Sequence, residues 1–306
     1  MLPSLRVCAS RGVRAFSAES VKSIGVVGAG QMGSGIAIVS AANAGRNVIL
    51  MDQSSAQLDG ALKLAEKTLQ RNVQKGRMQQ EDAQAALARI TTSDSLGALT
   101  DVDMVVEAAT ENVDLKLQIF KKLDEITRPG IVLASNTSSI SITKIAGATQ
   151  RPEKVIGMHF MNPVPVMKLV EVIPGMATSE QTLKQTLELA EQMGKTTTLA
   201  QDMPGFIANR LLMPYINEAF YTLQEGVATP EDIDTTMKLG TNVPMGPLTL
   251  GDFIGLDTCL AIMQVLHSQL GDAKYRPCPL LVNYVNAGWL GKKAGRGVYN
   301  YSASPQ

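Results

Sequence analysis

A glycine pattern between two apolar runs constrains the fold of this chain more than any other feature. Residues 24–27 form a short β-rich run, which leads into Gly28, Gly30 and Gly33 with the spacing G-x-G-x-x-G. An Ala-rich helical pattern follows, and a second β-rich run ends at Asp52. Glycines at this spacing between a strand and a helix, with an acid about 20 residues further on, form the fingerprint of a dinucleotide-binding βαβ unit.

The three glycines have distinct expected roles. Gly28 permits the tight turn, Gly30 lets the backbone approach a pyrophosphate, and Gly33 lets the helix pack close to the strand. The N-terminus of the helix, at Gln31 and Met32, offers free N–H groups and a positive dipole end to the phosphates, so both residues are expected cofactor contacts. The alternative is a glycine-rich turn in another kind of α/β protein, which the surrounding strand–helix–acid context disfavours.

The acid at the end of the second run indicates which dinucleotide is bound. Asp52 is expected to hold the hydroxyls of the adenosine ribose, and its charge would repel a 2′-phosphate. No Arg follows in Gln53-Ser54-Ser55 to accept such a phosphate. The sequence therefore predicts NAD, rather than NADP, as the cofactor.

Strand-like and helical segments alternate over the first two thirds of the chain. Six β-rich runs occur, at residues 24–27, 48–51, 104–108, 131–134, 155–158 and 169–173. Helical patterns separate most of the early runs, at residues 56–75, 81–89 and 114–127. The alternation predicts an α/β fold of the Rossmann type, with a doubly wound parallel sheet and helices on both faces. The long stretch between the second and third runs predicts a helical hairpin that projects from the sheet.

The pattern becomes entirely helical near residue 201. Asp202 is a predicted N-cap and Pro204 suits the first turn of a helix. Helical patterns then occupy residues 206–225, 230–239, 248–270 and 280–286. We therefore expect a Rossmann domain with a helical insert over residues 21–200, followed by an all-helical domain for substrate binding and dimerisation over residues 201–306.

Composition excludes several classes of protein. The 306 residues carry 28 basic and 28 acidic side chains, and this balance argues against nucleic acid as a general partner. No run reaches the about 18 uninterrupted apolar residues of an integral membrane segment. Cys8, Cys259 and Cys278 have no metal-type spacing and suggest neither zinc nor disulfides.

The first 20 residues differ from the rest of the chain. They contain Arg6, Arg11 and Arg14, several Ser and Ala, no Lys, and no acid before Glu19. This composition is typical of an organelle transit peptide, and the long apolar core of a secretory signal is missing. We expect residues 1–20 to be a transit peptide. The alternative is an extension without a targeting role.

The chain has two histidines, of which one is a candidate acid/base group. His159 ends a β-rich run and precedes a turn broken by Pro163 and Pro165, at the edge of the sheet where α/β proteins bind ligands. His267 lies within a helical pattern and is expected to be a packing or surface residue. If the runs that contain His159 and Glu171 pair as a hairpin, Glu171 can orient the imidazole and stabilise the imidazolium. A purely structural hydrogen bond between them is the alternative.

Two further polar sites accompany this pair. The stretch Ser135-Asn-Thr-Ser-Ser139 follows a β-rich run and precedes a helical segment, and Asn209 lies one turn into the helix at the expected domain junction. An N-cap for the hydroxyl cluster and a surface position for Asn209 are the plainer interpretations. Capping would explain one hydroxyl of the cluster, but not five consecutive polar residues.

Together these residues resemble the L-3-hydroxyacyl-CoA dehydrogenases, especially the short, single-function 3-hydroxybutyryl-CoA type of mitochondria and bacteria. The resemblance extends from Lys22 to Tyr301. It is carried by the motifs Gly28-Ala-Gly-Gln-Met-Gly33, Val106-Glu107-Ala, Ser135-Asn-Thr-Ser-Ser139, His159-Phe-Met-Asn-Pro-Val-Pro165, Lys168-Leu-Val-Glu-Val172, Pro204-Gly-Phe-Ile-Ala-Asn-Arg210, Pro244-Met-Gly-Pro247 and Gly291-Lys-Lys-Ala-Gly295.

The resemblance implies a catalytic role for four residues. His159 would be the general base and Glu171 its orienting partner, while Ser138 and Asn209 would hold the 3-oxygen and the thioester region of the substrate. Lys75, in the helical insert, would contact the phosphates of coenzyme A.

The resemblance also implies a group of contacts near the nicotinamide half of the cofactor. These would come from Glu107, Asn112, Ser138, Asn162 and Lys293. No metal is implied.

The implied activity is the NAD-dependent oxidation of (S)-3-hydroxyacyl-CoA to 3-ketoacyl-CoA in fatty acid β-oxidation. By the same resemblance the enzyme would be a homodimer, paired through its helical domain, in the mitochondrial matrix. Neutral His159 is the active form for oxidation, so the reaction should slow in acid.

Two alternatives remain open. The first is an NAD-dependent dehydrogenase of a non-CoA hydroxy acid, such as a sugar acid. Lys67, Arg71, Lys75 and Arg77 favour a phosphate-bearing ligand, although solubility alone would also place bases on an exposed helix. The second is a non-catalytic protein that retained the fold, against which the joint presence of the four predicted catalytic residues argues.

Overall fold

The computed structural model describes residues 21–302. Eight strands lie within this range: β1 (Ser23–Val27), β2 (Asn47–Met51), β3 (Ile90–Ser93), β4 (Met104–Glu107), β5 (Val132–Ser135), β6 (Val155–Phe160), β7 (Leu169–Pro174) and β8 (Thr196–Leu199). They form one sheet in the order β3-β2-β1-β4-β5-β6-β7-β8. Every neighbouring pair is parallel except β6 and β7. Because the chain reverses its winding between β1 and β4, a ligand crevice is expected at the carboxyl ends of these two strands. The predicted transit peptide lies outside the described residues.

Helices cover both faces of the sheet, which confirms the predicted Rossmann-type fold. They are α1 (Gln31–Ala42), α2 (Ser55–Gln74), α3 (Gln80–Ala88), α4 (Val113–Ile126), α5 (Ile142–Ala146) and α6 (Glu180–Gln192). One apolar core joins the sheet to α1, α2, α3 and α6, and a second joins the other face to α4 and α5. Burial of both faces explains why the central strands are continuous apolar runs.

The helical insert is attached along most of its length. Its two helices, α2 and α3, pack on α1 and on each other through Leu58, Ala61, Leu69 and Ala86, all of which are buried in the first core. The sequence predicts a hairpin that projects from the sheet, whereas α2 stays in contact with the core as far as Val73. The amphipathic pattern of α2 explains this packing, because its apolar stripe needs a partner surface.

Two strands lack a sequence signal. The sequences of β3 and β8, Ile90-Thr-Thr-Ser and Thr196-Thr-Thr-Leu, are dominated by threonine. Both strands lie at the edges of the sheet, and most of their side chains are exposed or half-buried. Threonine is β-branched and favours strands, but it leaves no apolar run from which a strand can be recognised.

A helical domain follows the sheet. It contains α7 (Ala208–Gln224), α8 (Pro230–Gly240), α9 (Pro247–Ile254), α10 (Leu256–Leu270) and α11 (Pro279–Asn286). Its separate apolar core is centred on α7 and α10 and includes Met213, Phe220, Met263 and Leu266. Over the described range no single helix has the length and apolar composition to cross a membrane, and only the bent pair α9 and α10 reaches them when counted together.

The single helix predicted over residues 248–270 is two helices. α9 and α10 meet at an angle of 97°. Gly255 joins them with φ of +104°, a backbone conformation that L side chains rarely adopt. The apolar pattern continues through this corner because both helices bury a face in the same core, so the pattern alone does not reveal the break.

The predicted N-cap at Asp202 is wrong. α7 begins at Ala208, and Ile207 precedes it without a side-chain cap. The Asp202 carboxylate instead accepts hydrogen bonds from the Ser141 hydroxyl and from the N–H groups of Ile142 and Thr143, all at 2.8 Å. It therefore caps α5 and fastens the segment between the sheet and the helical domain to the Rossmann domain.

Candidate functional site

His159 and Glu171 face each other across the only antiparallel pair of the described sheet. The register of β6 and β7 places the two residues opposite one another. His159 Nδ1 lies 2.7 Å from Glu171 Oε2, and the two residues are 7% and 1% exposed. The pairing of these strands as a hairpin, expected from the sequence, is thus observed. Because the carboxylate engages Nδ1, Nε2 is the nitrogen left to exchange a proton.

The second carboxylate oxygen of Glu171 contacts the helical domain. Oε1 accepts the N–H groups of Ile207 and Ala208 at 2.9 Å each, at the start of α7. Burial by itself would raise the pKa of Glu171. The hydrogen bonds from His159 and from these N–H groups outweigh burial, so the pKa of Glu171 is lowered. Glu171 is therefore ionised at neutral pH and connects the imidazole to the second domain.

Phe206 packs beside this pair. Its ring centroid lies 5.7 Å from that of His159, with the rings tilted by 59°, and the residue is buried. Its φ of +50° is unusual for a large side chain and marks the tight approach of the chain to α7. The segment that ends at Ala208 thus brings both an aromatic wall and the helix N-terminus to the histidine.

Ser138 and Asn209 lie together at the junction of the two domains. Asn209 Nδ2 donates a hydrogen bond to the Ser138 carbonyl oxygen at 3.3 Å. Asn209 is only 8% exposed, so it is not a surface residue, and it is the second residue of α7 rather than a residue one turn in. The structure thus brings together these two predicted site residues from different domains.

Glu111 is a site residue that the sequence analysis missed. Its Oε1 accepts the Thr137 hydroxyl at 2.6 Å and the N–H groups of Ser138 and Ser139 at 2.9 and 3.1 Å. It also accepts the hydroxyls of Ser138 and Ser139 at 3.2 and 3.1 Å. Burial opposes ionisation, but the nearby Lys116 and these hydrogen bonds lower the pKa of Glu111. Residues 137–139 of the polar stretch are thus ordered by one carboxylate.

Glu107 lies inside the fold next to Lys116 and Ser135, and its side chain does not reach open space. It is fully buried, with Oε1 2.6 Å from Lys116 Nζ and Oε2 accepting the Ser135 hydroxyl at 2.6 Å. Oε1 also accepts the N–H of Ala109. Both oxygens of the Glu107 carboxylate are therefore engaged within the fold, and its position near the nicotinamide stays a prediction. Lys116, also buried, lies 3.5 Å from Glu111 and links the two carboxylates.

The remaining residues predicted to lie near the nicotinamide occupy separate positions. Asn112 caps α4, since its Oδ1 accepts the Leu115 N–H at 2.9 Å. Asn162 is exposed just after β6. Lys293, on the C-terminal segment, donates to Asp257 at 2.8 Å. The structure thus does not bring Asn112 and Lys293 into one cluster with Ser138 by direct contact.

The glycine motif forms one wall of a cleft of about 420 Å³ above β1, β2 and β4. Gly28 has φ of +100°, and a Cβ on Gly33 would lie 1.8 Å from the Gly28 carbonyl oxygen, so neither position accepts a side chain. A Cβ on Gly30 would meet no atom within 4 Å, because this residue lines the cleft. Such a backbone cradle at the start of a helix fits the pyrophosphate of a dinucleotide.

Asp52 is fixed at the rim of this cleft. Its Oδ2 accepts the Ala29 N–H at 2.8 Å and its Oδ1 accepts the Ser54 N–H at 2.9 Å. The carboxylate therefore stands beside the glycine turn, as a ribose-binding acid requires. Gln31 instead lines a neighbouring groove, and the Met32 side chain packs against the first core.

That neighbouring groove, of about 630 Å³, has one basic wall and one apolar wall. Lys67, Arg71, Lys75 and Arg77 line it from the insert. The opposite wall is residues 163–166, from the loop between β6 and β7. We call this feature the basic groove. It gathers the four bases singled out in the sequence beside the loop that follows His159.

A third cavity, of about 560 Å³, lies between the domains. Ser138, Ser139 and Ile140 line one side, and Ala261 and Val265 of α10 line the other. Within residues 21–302 no group of three or more potential ligands is placed to hold a metal ion. Ligand-sized space is thus present at three places: above the glycine motif, beside the insert and between the domains.

Comparison with known proteins gives the family. Residues 23–203 match the model of the 3-hydroxyacyl-CoA dehydrogenase NAD-binding domain, and residues 205–301 match that of the 3-hydroxyacyl-CoA dehydrogenase C-terminal domain. A probable 3-hydroxybutyryl-CoA dehydrogenase of Bacillus subtilis is 57% identical over 281 residues, which cover 92% of this chain and 98% of that protein. The mitochondrial hydroxyacyl-coenzyme A dehydrogenase of Homo sapiens is 41% identical over 97% of each chain. The crystal structure of (S)-3-hydroxybutyryl-CoA dehydrogenase from Ralstonia eutropha superposes with a TM-score of 0.89 at 50% identity, covering 93% of this chain and all of that one.

Proposed function

The chain belongs to the 3-hydroxyacyl-CoA dehydrogenase family of NAD-dependent oxidoreductases, and from this premise we propose that it oxidises short (S)-3-hydroxyacyl-CoA thioesters, first of all 3-hydroxybutyryl-CoA, in fatty acid β-oxidation. The observation that carries the proposal is the hydrogen bond between His159 Nδ1 and the buried Glu171, which leaves Nε2 free for a substrate proton. The similarity to proteins described as 3-hydroxybutyryl-CoA dehydrogenases supports the short acyl chain.

In this proposal His159 is the general base. Its Nε2 takes the proton of the 3-hydroxyl group while the C3–H bond breaks and a carbonyl forms at C3. Bound NAD supplies the acceptor for the hydride that leaves C3. Glu171 holds the reactive tautomer and stabilises the imidazolium, because its lowered pKa keeps it ionised.

Ser138 and Asn209 are proposed to hold the 3-oxygen and the thioester region of the substrate. Their direct contact across the domain junction supports a shared role. Glu111 orders the Ser138 hydroxyl and backbone, so its charge fixes the geometry of this wall. Hydrogen-bond donors held in this way stabilise developing charge on an oxygen without reorganising during the reaction.

The cofactor is proposed to lie in the cleft above the glycine motif. Gly28, Gly30 and Gly33 would receive the pyrophosphate and Asp52 the adenosine ribose, with backbone contacts from Gln31 and Met32. Asn112, Ser138, Asn162 and Lys293 are retained as proposed contacts of the nicotinamide half. For Glu107 we propose a supporting role through Lys116 instead of a direct contact.

The phosphates of coenzyme A are proposed to lie in the basic groove. Lys75 caps α2 at the groove, and the three neighbouring bases add positive potential to the same wall. The opposite apolar wall suits the pantetheine arm. This groove distinguishes a thioester from a free hydroxy acid, which has no group to occupy it.

The test follows NADH absorbance while the purified protein is offered acetoacetyl-CoA and, separately, free acetoacetate. Rapid NADH oxidation with the thioester alone is expected. Lys75→Ala should then raise KM for acetoacetyl-CoA, whereas Lys63→Ala, an exposed change on the same helix outside the groove, should not. Equal activity with the free acid would favour a dehydrogenase of non-CoA hydroxy acids, and absence of turnover despite NADH binding would favour a non-catalytic role.

We also propose the domain division, the assembly and the location of the protein. Residues 21–200 would form the Rossmann domain and residues 201–306 the helical domain, which pairs two copies into a homodimer. The exposed apolar side chains of Met203, Ile207 and Leu211 support a covered surface at the start of α7.

The composition of residues 1–20 and the similarity to a human mitochondrial enzyme support a transit peptide and a location in the mitochondrial matrix. A fluorescent protein fused to residues 1–20 should therefore accumulate in mitochondria, and a diffuse signal would contradict this location.

A further inference from the structure

Lys195 holds a buried ammonium group that no step of the proposed reaction uses. It lies between α6 and β8 and is 9% exposed. Its Nζ donates hydrogen bonds to the carbonyl oxygens of Val164 and Met167, the latter at 2.8 Å. Among residues 21–302 no carboxylate lies within ion-pair distance of it. A buried ammonium that is solvated only by backbone carbonyls is costly, and burial lowers the pKa of Lys195 accordingly.

Both carbonyl oxygens belong to the segment that connects the strands of His159 and Glu171. We call residues 161–168 the β6–β7 loop. Its turn is closed by the N–H groups of Val166 and Met167, which both donate to the Pro163 carbonyl oxygen at 3.0 Å. Val164 is buried against α1, where a Cβ on Gly35 would lie 2.7 Å from the Val164 Cβ. The loop is therefore held by α1 on one side and by the Lys195 ammonium on the other.

One of the held residues, Val164, belongs to the apolar wall of the basic groove, and Met167 follows that wall directly in the loop. Residues 163–166 line the groove opposite Lys67 and Lys75 of the insert, and Val166 is 72% exposed. The distance between the apolar wall and the basic wall therefore depends on where the loop is held. Lys195 contacts the backbone of the loop and does not line the groove itself.

We propose that Lys195 is a positioning residue that sets the apolar wall of the basic groove and thereby the affinity for the coenzyme A part of the substrate. The proposal rests on the proposed function, because the groove is assigned there to coenzyme A. The buried ammonium acts through the Val164 and Met167 carbonyl oxygens, without contact to substrate or cofactor.

The catalytic pair should be insensitive to this residue. Phe160, one residue beyond His159, is buried and paired with Val170 in the ladder. The strand pairing therefore fixes His159 and Glu171 before the chain enters the loop. Loss of Lys195 should thus weaken binding of the coenzyme A moiety and leave turnover intact.

The experiment compares two substrates of different length in the full-length enzyme. Lys195→Met keeps the length of the side chain but removes its charge and its donors, while Lys195→Gln retains an amide donor as a milder variant if the first does not fold. Lys184→Met, an exposed change on α6, is the matched control. KM and kcat are measured with acetoacetyl-CoA and with the N-acetylcysteamine thioester of acetoacetate, which lacks the nucleotide and most of the pantetheine arm.

For Lys195→Met, KM for acetoacetyl-CoA is expected to rise about tenfold, as when hydrogen bonds from a charged donor are lost, with kcat nearly unchanged. The kcat/KM of the truncated thioester and the Kd of NADH should stay at the level of the control, and Lys195→Gln should show a smaller rise. An equal loss of kcat/KM with both substrates, a fall in kcat alone, or an unchanged KM for acetoacetyl-CoA would overturn the proposal. If the wild-type enzyme does not reduce acetoacetyl-CoA, the proposed function fails; if it does and the variants lack this pattern, only the role of Lys195 fails.

Discussion

At the scale of single residues, Glu171 carries two tasks with its two oxygens. Oε2 engages His159 and Oε1 engages the first N–H groups of α7. The helix N-terminus and the imidazole both favour the negative charge, so the same ionisation orients the imidazole and holds the start of α7. The stability of the fold and the proposed acid/base chemistry should therefore both depend on the ionisation of Glu171.

This predicts how Glu171→Gln changes stability with pH. The pKa of Glu171 is lowered from its ordinary value of 4.5, so the ionised carboxylate stabilises the fold fully above 4.5 and loses this effect as pH falls through the lowered folded-state value. At pH 7 the free energy of unfolding of wild type should exceed that of the variant by about 2 kcal/mol, because hydrogen bonds to a charged group are lost in the variant. This difference in the free energy of unfolding should decrease below pH 4.5. Urea unfolding at several pH values measures it, with Glu66→Gln as an exposed control. A gap that does not change with pH would contradict the assignment.

A second residue-scale prediction concerns cofactor choice. Asp52→Asn removes the charge that is proposed to bind the ribose hydroxyls and to repel a 2′-phosphate. The Kd of NADH should rise about tenfold, and the preference for NADH over NADPH should narrow. Fluorescence titration with both cofactors measures these effects, with the exposed Asp59→Asn as control. An unchanged Kd and preference would remove Asp52 from the cofactor site.

At the scale of elements, the sequence predicts those segments whose burial pattern is simple. The central strands and α1 are buried on all sides and appear as apolar runs, and the glycine motif marks the turn between them. The edge strands β3 and β8 were missed because their exposed threonines form no such run. The break between α9 and α10 was missed because it depends on the backbone of Gly255, while the apolar pattern continues across it.

In the candidate site, too, some residues can be recognised from the local sequence and others cannot. His159 and Glu171 were predicted because each lies near a strand end and the two strands are adjacent in the chain. Glu107 enters the predicted site through the resemblance alone, and only the three-dimensional structure shows that Glu107 is enclosed while Glu111 reaches residues 137–139. The partner of a carboxylate across the fold leaves no local signal in the sequence.

The altered assignment of Asp202 gives a prediction at this scale. Its carboxylate accepts one hydrogen bond from the hydroxyl of Ser141, which precedes α5, and two from the N–H groups of Ile142 and Thr143 in the first turn. Asp202→Ala should lower the free energy of unfolding by about 2 kcal/mol, the upper range for loss of a helix cap. Thermal unfolding measures the change, and Asp94→Ala serves as an exposed control. A stability equal to that of the control would mean that α5 does not depend on this cap.

At the scale of the whole molecule, the site lies where the two domains meet. Glu171 and Ser138 of the sheet domain contact the first residues of α7, and Asp202 fastens the segment between them. The Rossmann domain thus supplies the cleft above the glycine motif and the His159–Glu171 pair, and the helical domain completes the cavity between the domains. The sequence predicts this division because strand patterns end near residue 200, but it does not predict which contacts join the parts.

The proposed homodimer gives a prediction at the same scale. Leu211 is 68% exposed beside the exposed Met203 and Ile207, and a second copy is expected to cover this surface. Light scattering should give twice the chain mass for wild type, and Leu211→Glu should shift the mass to that of one chain because a carboxylate is costly to bury. Met176→Glu, at a 91% exposed position of the Rossmann domain, should remain dimeric. A wild-type protein of single-chain mass would contradict the proposal.

In the proposed reaction His159, oriented by Glu171, moves the substrate proton. The most direct measurement is the turnover of His159→Asn with acetoacetyl-CoA, combined with its Kd for NADH. Loss of a general acid/base group predicts a fall in kcat of about 10²- to 10⁴-fold, with NADH binding close to that of wild type. Near-normal turnover in the folded variant would contradict the account.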